Sequence, residues 1–125
     1  MCPNLFKKEM RKGNSSVSIL DCTLRDGGYY NNWDFSKEIF EIYYKGIIES
    51  GIESIELGFR SLTSKSFVGP FFYTSDDYLE TLPLTDSVEL GVMINAGEFL
   101  DIGERRFDLL GKLFQSKNNS PISLV

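Results

Sequence analysis

Histidine is missing from all 125 residues. Without it the chain cannot assemble a Ser-His-Asp triad, a Cys-His pair or a histidine-ligated metal site. Two cysteines, Cys2 and Cys22, are too few for a disulfide framework. Cys22 reads as a small buried hydrophobe inside a strand, and Cys2 as part of a fraying tail. Basic residues are outnumbered, 13 against 18 acidic, for a net charge of -5. Nucleic-acid-binding modules are usually basic, so that class is disfavoured. No run approaches the roughly 18 apolar residues of a membrane span. The stretch Met1 to Met10 lacks the apolar core and cleavage site of a signal peptide. A cytoplasmic protein, with neither nucleic acid nor membrane as partner, is therefore the expectation.

What is present is enough for one domain of modest size. Hydrophobic residues make up 42% and aromatics 14%, so a core can form. Residues 1–16 read as an N-terminal tail and 17–125 as the domain. A first strand is expected over Val17–Leu24, followed by a Gly-, Tyr- and Asn-rich loop over Gly27–Trp33. Asp34 or Ser36 can cap a helix reaching Ser50, with Ile39, Tyr43 and Ile47 flanked by Phe40, Tyr44 and Ile48 on one buried face. Gly51 closes it, and Ile52–Phe59 reads as a second strand. Strand, long helix and strand in quick succession make a right-handed βαβ unit with parallel strands.

Further along, Ser61–Pro70 is a loop, the longer stretch Ser61–Tyr73 could serve as a lid, and Thr74 or Ser75 can cap a short helix ending before Pro83. Ser87–Ile94 reads as a third strand. Arg105–Gln115 reads as a helix with Phe107, Leu110 and Phe114 on one face, and Ile122–Val125 as a fourth strand. Strand starts recur about every 34 residues, near the roughly 31 per unit of a (β/α)8 barrel. The fold class is therefore α/β: either a partial TIM barrel with about four parallel strands and intervening helices, or a small doubly wound sheet.

In either architecture, ligands bind beyond the carboxyl ends of the strands. The first strand ends in Asp21-Cys-Thr-Leu-Arg-Asp-Gly-Gly28. Arg25 is a permanently charged fork for carboxylates or phosphates, and Asp26 is a hard oxygen donor for magnesium or manganese. Alternation along the second strand would put Glu56, Gly58 and Arg60 on one face, and Asn95 ends the third strand. Asp21 is expected to face inward with Arg25, so that Asp21, Arg25, Asp26, Glu56 and Asn95 gather at one mouth. Glu56 would then be the structural partner of Arg25 or part of a reactive site. Tyr29 and Tyr30 could cover the mouth or supply an acid.

Ile19-Leu-Asp-Cys-Thr-Leu-Arg-Asp-Gly27, followed at a suitable distance by Ile52-Glu-Ser-Ile-Glu-Leu-Gly-Phe59, resembles the first two strands of the DRE-TIM metallolyases. That family includes 4-hydroxy-2-oxovalerate aldolase, 3-hydroxy-3-methylglutaryl-CoA lyase, and the isopropylmalate and homocitrate synthases. The resemblance runs from about Val17 to the end of the chain, over the first half of the family's barrel. It implies an aldolase-like carbon–carbon lyase acting on a small oxo acid through an enolate. Asp26 corresponds to the family's metal-binding aspartate, Arg25 to its enolate-stabilising arginine, and Glu56 to the acid on the second strand. Tyr29 stands where the aldolases carry a histidine, and it is the candidate acid. The implied cofactor is a divalent metal, manganese or magnesium with zinc as an alternative. The family completes that metal site with a His-x-His pair that this chain does not contain, so the other ligands are expected elsewhere. An acyl-CoA condensing synthase is the other enzyme branch, and a non-catalytic truncated domain is the reading from another class. Exposed sheet edges suggest self-association or a partner chain.

Overall fold

A computed structural model describes residues 17–63, 67–100 and 102–125. The expected tail over 1–16, Cys2 with it, and part of the expected lid lie outside these. Four strands form one parallel sheet: β1 (Leu20–Asp21), β2 (Ser54–Phe59), β3 (Glu89–Met93) and β4 (Ile122–Leu124). Their spatial order is β1-β2-β3-β4. A doubly wound sheet reverses strand order at a switch point, whereas a barrel adds each strand beside the last. The observed order is the barrel's, so the chain is an α/β fold consistent with a partial barrel.

Between the strands run α1 (Thr23–Asn31), α2 (Lys37–Ser50), the short α3 (Asp76–Leu79) and α4 (Arg105–Leu113). Among the described residues, no helix is long and apolar enough to cross a membrane. The Ser36 hydroxyl accepts from the Ile39 N–H at the start of α2, and Gly51 ends that helix at φ 71°. The buried face of α2 is Phe40, Tyr44 and Ile47, with Tyr43 and Ile48 partly buried beside it. Ile39, expected on that face, is exposed, because the stripe is centred on Phe40 and leaves Ile39 at its flank.

Strand register sorts the side chains. Ile55 pairs with Leu90, and Leu90 with Ile122, so these three buried residues share the helix-facing side. Glu56 pairs with Gly91, on the opposite face, which in a barrel is the interior. Asp21 pairs with Ile55 and therefore faces the helices. The expected inward Asp21 is thus corrected.

A shift between Glu56 and Phe59 then interrupts the alternation, since Phe59 pairs with Met93 while Glu56 pairs with Gly91. Three steps along β2 match two along β3, which returns Phe59 to the face of Glu56 and sends Arg60 to the other side. Arg60 consequently does not join the mouth. It is buried at 1% exposure, its Nη2 2.6 Å from Asp76 Oδ1. Its Nε donates to the Thr74 carbonyl at 3.0 Å and its Nη1 to the Leu113 carbonyl at 2.6 Å. The Ser120 hydroxyl also donates to Asp76 Oδ1, so one buried pair ties β2 to α3, to the end of α4 and to the approach to β4. At Gly58, inside the shift, a Cβ would strike the Phe71 carbonyl oxygen.

Two expectations about helices are also corrected. The first strand is much shorter than Val17–Leu24, and Gly27–Trp33 is not an open loop, because α1 starts at Thr23 and runs to Asn31. Asp21 Oδ1 accepts from the Thr23 N–H at 2.9 Å, satisfying a donor that a helix start leaves orphaned. The glycines that suggested a loop instead make room for Trp33: a Cβ on Gly28 would collide with its indole ring. Farther on, α4 has no buried residue and Phe107 is exposed, so its expected apolar face is not packed; Phe114, just past its end, lies under the Arg60 guanidinium.

Removing Asp76 would leave the Arg60 charge buried without its anion. Asp76→Ala is expected to lower unfolding free energy by about 3 kcal/mol. The exposed neighbour Asp77→Ala should cost under about 0.5 kcal/mol. Urea denaturation of both variants checks this; equal small losses would show that the buried pair contributes little.

Candidate active site

The helix α1 opens directly at the tip of β1, so its first turns hang over the carboxyl ends of β2 and β3. Arg25 lies in its first turn, and its Nε sits 2.6 Å from Glu56 Oε2. The N–H is not aimed along that line, so the contact is an ion pair rather than an aligned hydrogen bond. The two side chains are 21% and 14% exposed. Asp26 Oδ1 is 3.4 Å from Arg25 Nη2 and is largely exposed. Arg25 Nη1 donates to the Met93 thioether sulfur at 3.8 Å, and the Cys22 thiol also hydrogen-bonds the guanidinium. Thus Nε faces Glu56, while the rest of the guanidinium has a stretched carboxylate and two weak sulfur partners, Met93 and Cys22.

Burial works against the charge on Arg25. Contact with the Cys22 thiol, Glu56 and Asp26 outweighs it and raises the pKa further, so the guanidinium stays protonated. Cys22 stands immediately before α1, makes no side-chain capping hydrogen bond, and lies beside both Arg25 and Glu56. Burial pushes its thiol pKa up; Glu56 adds to the rise and Arg25 opposes it. Cys22 is therefore a neutral thiol touching the ion pair, and not the strand-interior hydrophobe expected from the sequence.

One turn beyond Arg25, Tyr29 begins an aromatic wall. Its ring centroid is 4.8 Å from Trp33 and 6.4 Å from Phe59, both edge-on, and Trp33 is 5.5 Å from Phe59. Trp33 Nε1 donates to the Arg25 carbonyl at 3.0 Å, locking the ring against α1. Tyr30 points away, almost fully exposed. The structure thus brings together Arg25, Asp26, Glu56 and Tyr29, and adds Cys22, Met93, Trp33 and Phe59.

Asp21 and Asn95 do not join them. Asp21 Oδ1 accepts from the Tyr43 hydroxyl at 2.6 Å and its Oδ2 from the Thr23 hydroxyl at 3.1 Å. Asn95 turns back to accept from the Gly97 N–H, capping a 3₁₀ turn over Ala96–Phe99. In place of Asn95, the third strand sends Met93. From that same turn, Glu98 accepts from the Ser61 hydroxyl and the Leu62 N–H, both at 2.6 Å, and so clasps the segment after β2. Glu98 carried no local signal, because its partners lie 36 and 37 residues away. Cys22 and Met93 could have been suspected only from adjacency to Arg25 and from strand register.

Among the described residues, no three His, Cys, Asp or Glu side chains converge as a metal site. Two surface depressions lie away from the mouth. One of about 410 Å³ runs along the outer side of α2 and is lined by Glu41, Tyr44, Lys45, Ile48, Glu49 and Pro83; the other lies by Leu84 and Pro121. Neither carries a partly buried charged pair like that of Arg25 and Glu56.

Partial burial works to raise the Asp21 pKa, but the hydrogen bonds from Tyr43 and from Thr23 outweigh it and the net effect is a lowering from 3.8. Burial and the nearby Asp21 carboxylate push the Tyr43 phenol upward, so it stays a donor. A lowered carboxylate pKa stabilises the fold above the unfolded value and loses that contribution as pH falls through the folded one. Tyr43→Phe should therefore cost about 1–2 kcal/mol at pH 7, with the difference from the parent protein shrinking below about pH 3.8. Urea midpoints at pH 7 and pH 3 test this; a pH-independent difference would contradict it.

Neither a protein-family model nor a curated protein matches this chain. Among solved structures, it is similar to the N-terminal domain of a putative aldolase from Bacteroides vulgatus. The two share 39% identity with a TM-score of 0.56, over 66% of this chain and 27% of the other. This chain thus spans about a quarter of the length of that solved chain.

Proposed function

We propose that the strand-tip mouth is part of an aldolase-like carbon–carbon lyase of the DRE-TIM kind, acting on a small oxo acid. The observation that carries this reading is the Arg25–Glu56 ion pair. It holds a guanidinium at the carboxyl end of a parallel sheet with its two terminal nitrogens weakly engaged. Similarity to a protein described as an aldolase supports the same reading.

In cleavage of a 4-hydroxy-2-oxo acid, the C4 hydroxyl loses its proton and forms a carbonyl. The C3–C4 bond breaks, and its electrons pass into C2–C3 while the C2 carbonyl becomes an enolate oxygen. Arg25 would place donors where that charge appears, which is where a fixed cation contributes most. Glu56 would hold the guanidinium in place, so that little reorganisation is needed as charge develops. Tyr29, one turn away on α1, is our candidate to return a proton to C3. The proton from the C4 hydroxyl would go to a base outside the described residues.

The residues at this mouth do not by themselves fit a divalent cation, since Asp26 stands alone with a guanidinium beside it. Asp26 could lend one oxygen to manganese, magnesium or zinc, and the other ligands would have to come from outside the described residues. Val17, Ile19 and Leu20 are exposed along the β1 edge, a surface that a second copy or another chain could cover.

Oxalate mimics the planar enolate of pyruvate and serves as the probe. Calorimetry should show it binding the parent chain, with Arg25→Gln weakening it at least about tenfold and Glu56→Gln weakening it less. Circular dichroism confirms that each variant is folded. Unchanged oxalate affinity in folded Arg25→Gln would refute the proposed role of the guanidinium.

A further inference from the structure

Arg25 and Tyr29 are four residues apart on α1, so they stand one above the other on the same helix face, with Cβ atoms about 5–6 Å apart. Each meets a different residue of β2: Arg25 the carboxylate of Glu56, and Tyr29 the ring of Phe59. Regular alternation would put Glu56 and Phe59 on opposite faces. The register shift between them brings both to the same one. A charged pair and an aromatic pair therefore run side by side along one surface of the sheet.

The rings differ sharply in exposure. Trp33 and Phe59 are buried at 5% and 8%, while Tyr29 is 66% exposed. Both buried rings press edge-on against Tyr29, at interplanar angles of 65° and 88°. Tyr29 is thus propped by its neighbours with much of its surface in water. A ring already held in place loses little freedom when a ligand packs on it, so more of the contact energy appears as affinity.

Resting on the reading of the mouth as an oxo-acid site, we infer that its preferred substrates are oxo acids bearing an aromatic ring, with the acid end on Arg25 and the ring packed against Tyr29. A ligand as small as pyruvate would engage the guanidinium and leave the tyrosine ring in water. The ring's role is separate from the proton-donating role proposed for its hydroxyl, which belongs to turnover and not to binding.

The probes are pyruvate, phenylpyruvate and oxalate, titrated by calorimetry into the chain. Phenylpyruvate is expected to bind about tenfold more tightly than pyruvate, the size of one good aromatic contact. Tyr29→Phe should keep that preference, because the ring remains, and Tyr29→Ala should reduce it to less than about threefold. Equal affinity for the two oxo acids in the parent chain, or a preference that survives in Tyr29→Ala, would overturn the inference. Oxalate and Arg25→Gln separate the two levels of argument. If Arg25→Gln weakens oxalate but the parent shows no aromatic preference, selectivity alone fails. If the parent chain binds none of the three probes, both the selectivity and the oxo-acid reading fall.

Discussion

An arginine buried at 1% exposure must have its charge answered inside the protein, and Arg60 is answered by Asp76. The rest of the arrangement depends on that demand. Arg60 can reach Asp76 only on the helix-facing side of the sheet, and it reaches that side because β2 gains a residue between Glu56 and Phe59. The same shift turns Phe59 toward Trp33 and Tyr29. A single irregularity in one strand thus divides two neighbouring residues between the core and the mouth. Gly58 permits it, because any side chain there would meet the Phe71 backbone.

The mouth itself rests on a second arginine under different conditions. Arg25 is only partly buried, and its carboxylate partner occupies one of its nitrogens. Arg60 has all three of its nitrogens hydrogen-bonded to protein acceptors. Saturation suits a structural cation, and incomplete satisfaction suits a cation that receives a ligand. Two residues of identical chemistry that both follow a strand thus differ in how fully the protein satisfies them.

The helix α1 links these two levels. Asp21 starts it from the helix-facing side, supported by Tyr43 of α2, and Trp33 closes its far end by donating to the Arg25 carbonyl. Positive φ at Asn32 and Trp33 reverses the chain there, and the indole fills the space left by Gly28. The helix that carries Arg25, Asp26 and Tyr29 is therefore held at both ends by contacts outside itself, as a short helix with two internal glycines requires.

Much of this was legible in the chain. Apolar periodicity and the Ser36 and Gly51 caps marked α2 closely, and the spacing of strand starts pointed to parallel α/β units. The run Asp21 to Gly28 singled out Arg25 and Asp26, and Glu56 followed as the acid on the next strand. These features are local, and their residue types have strong conformational or charge preferences. The side that Asp21 faces, the withdrawal of Arg60 and the arrival of Met93 were decided only by tertiary structure. Each depends on register, and one residue of slippage inverts every side chain beyond it. No local preference encodes that slippage; it follows from whether a distant carboxylate, carbonyl or ring is there to receive the side chain.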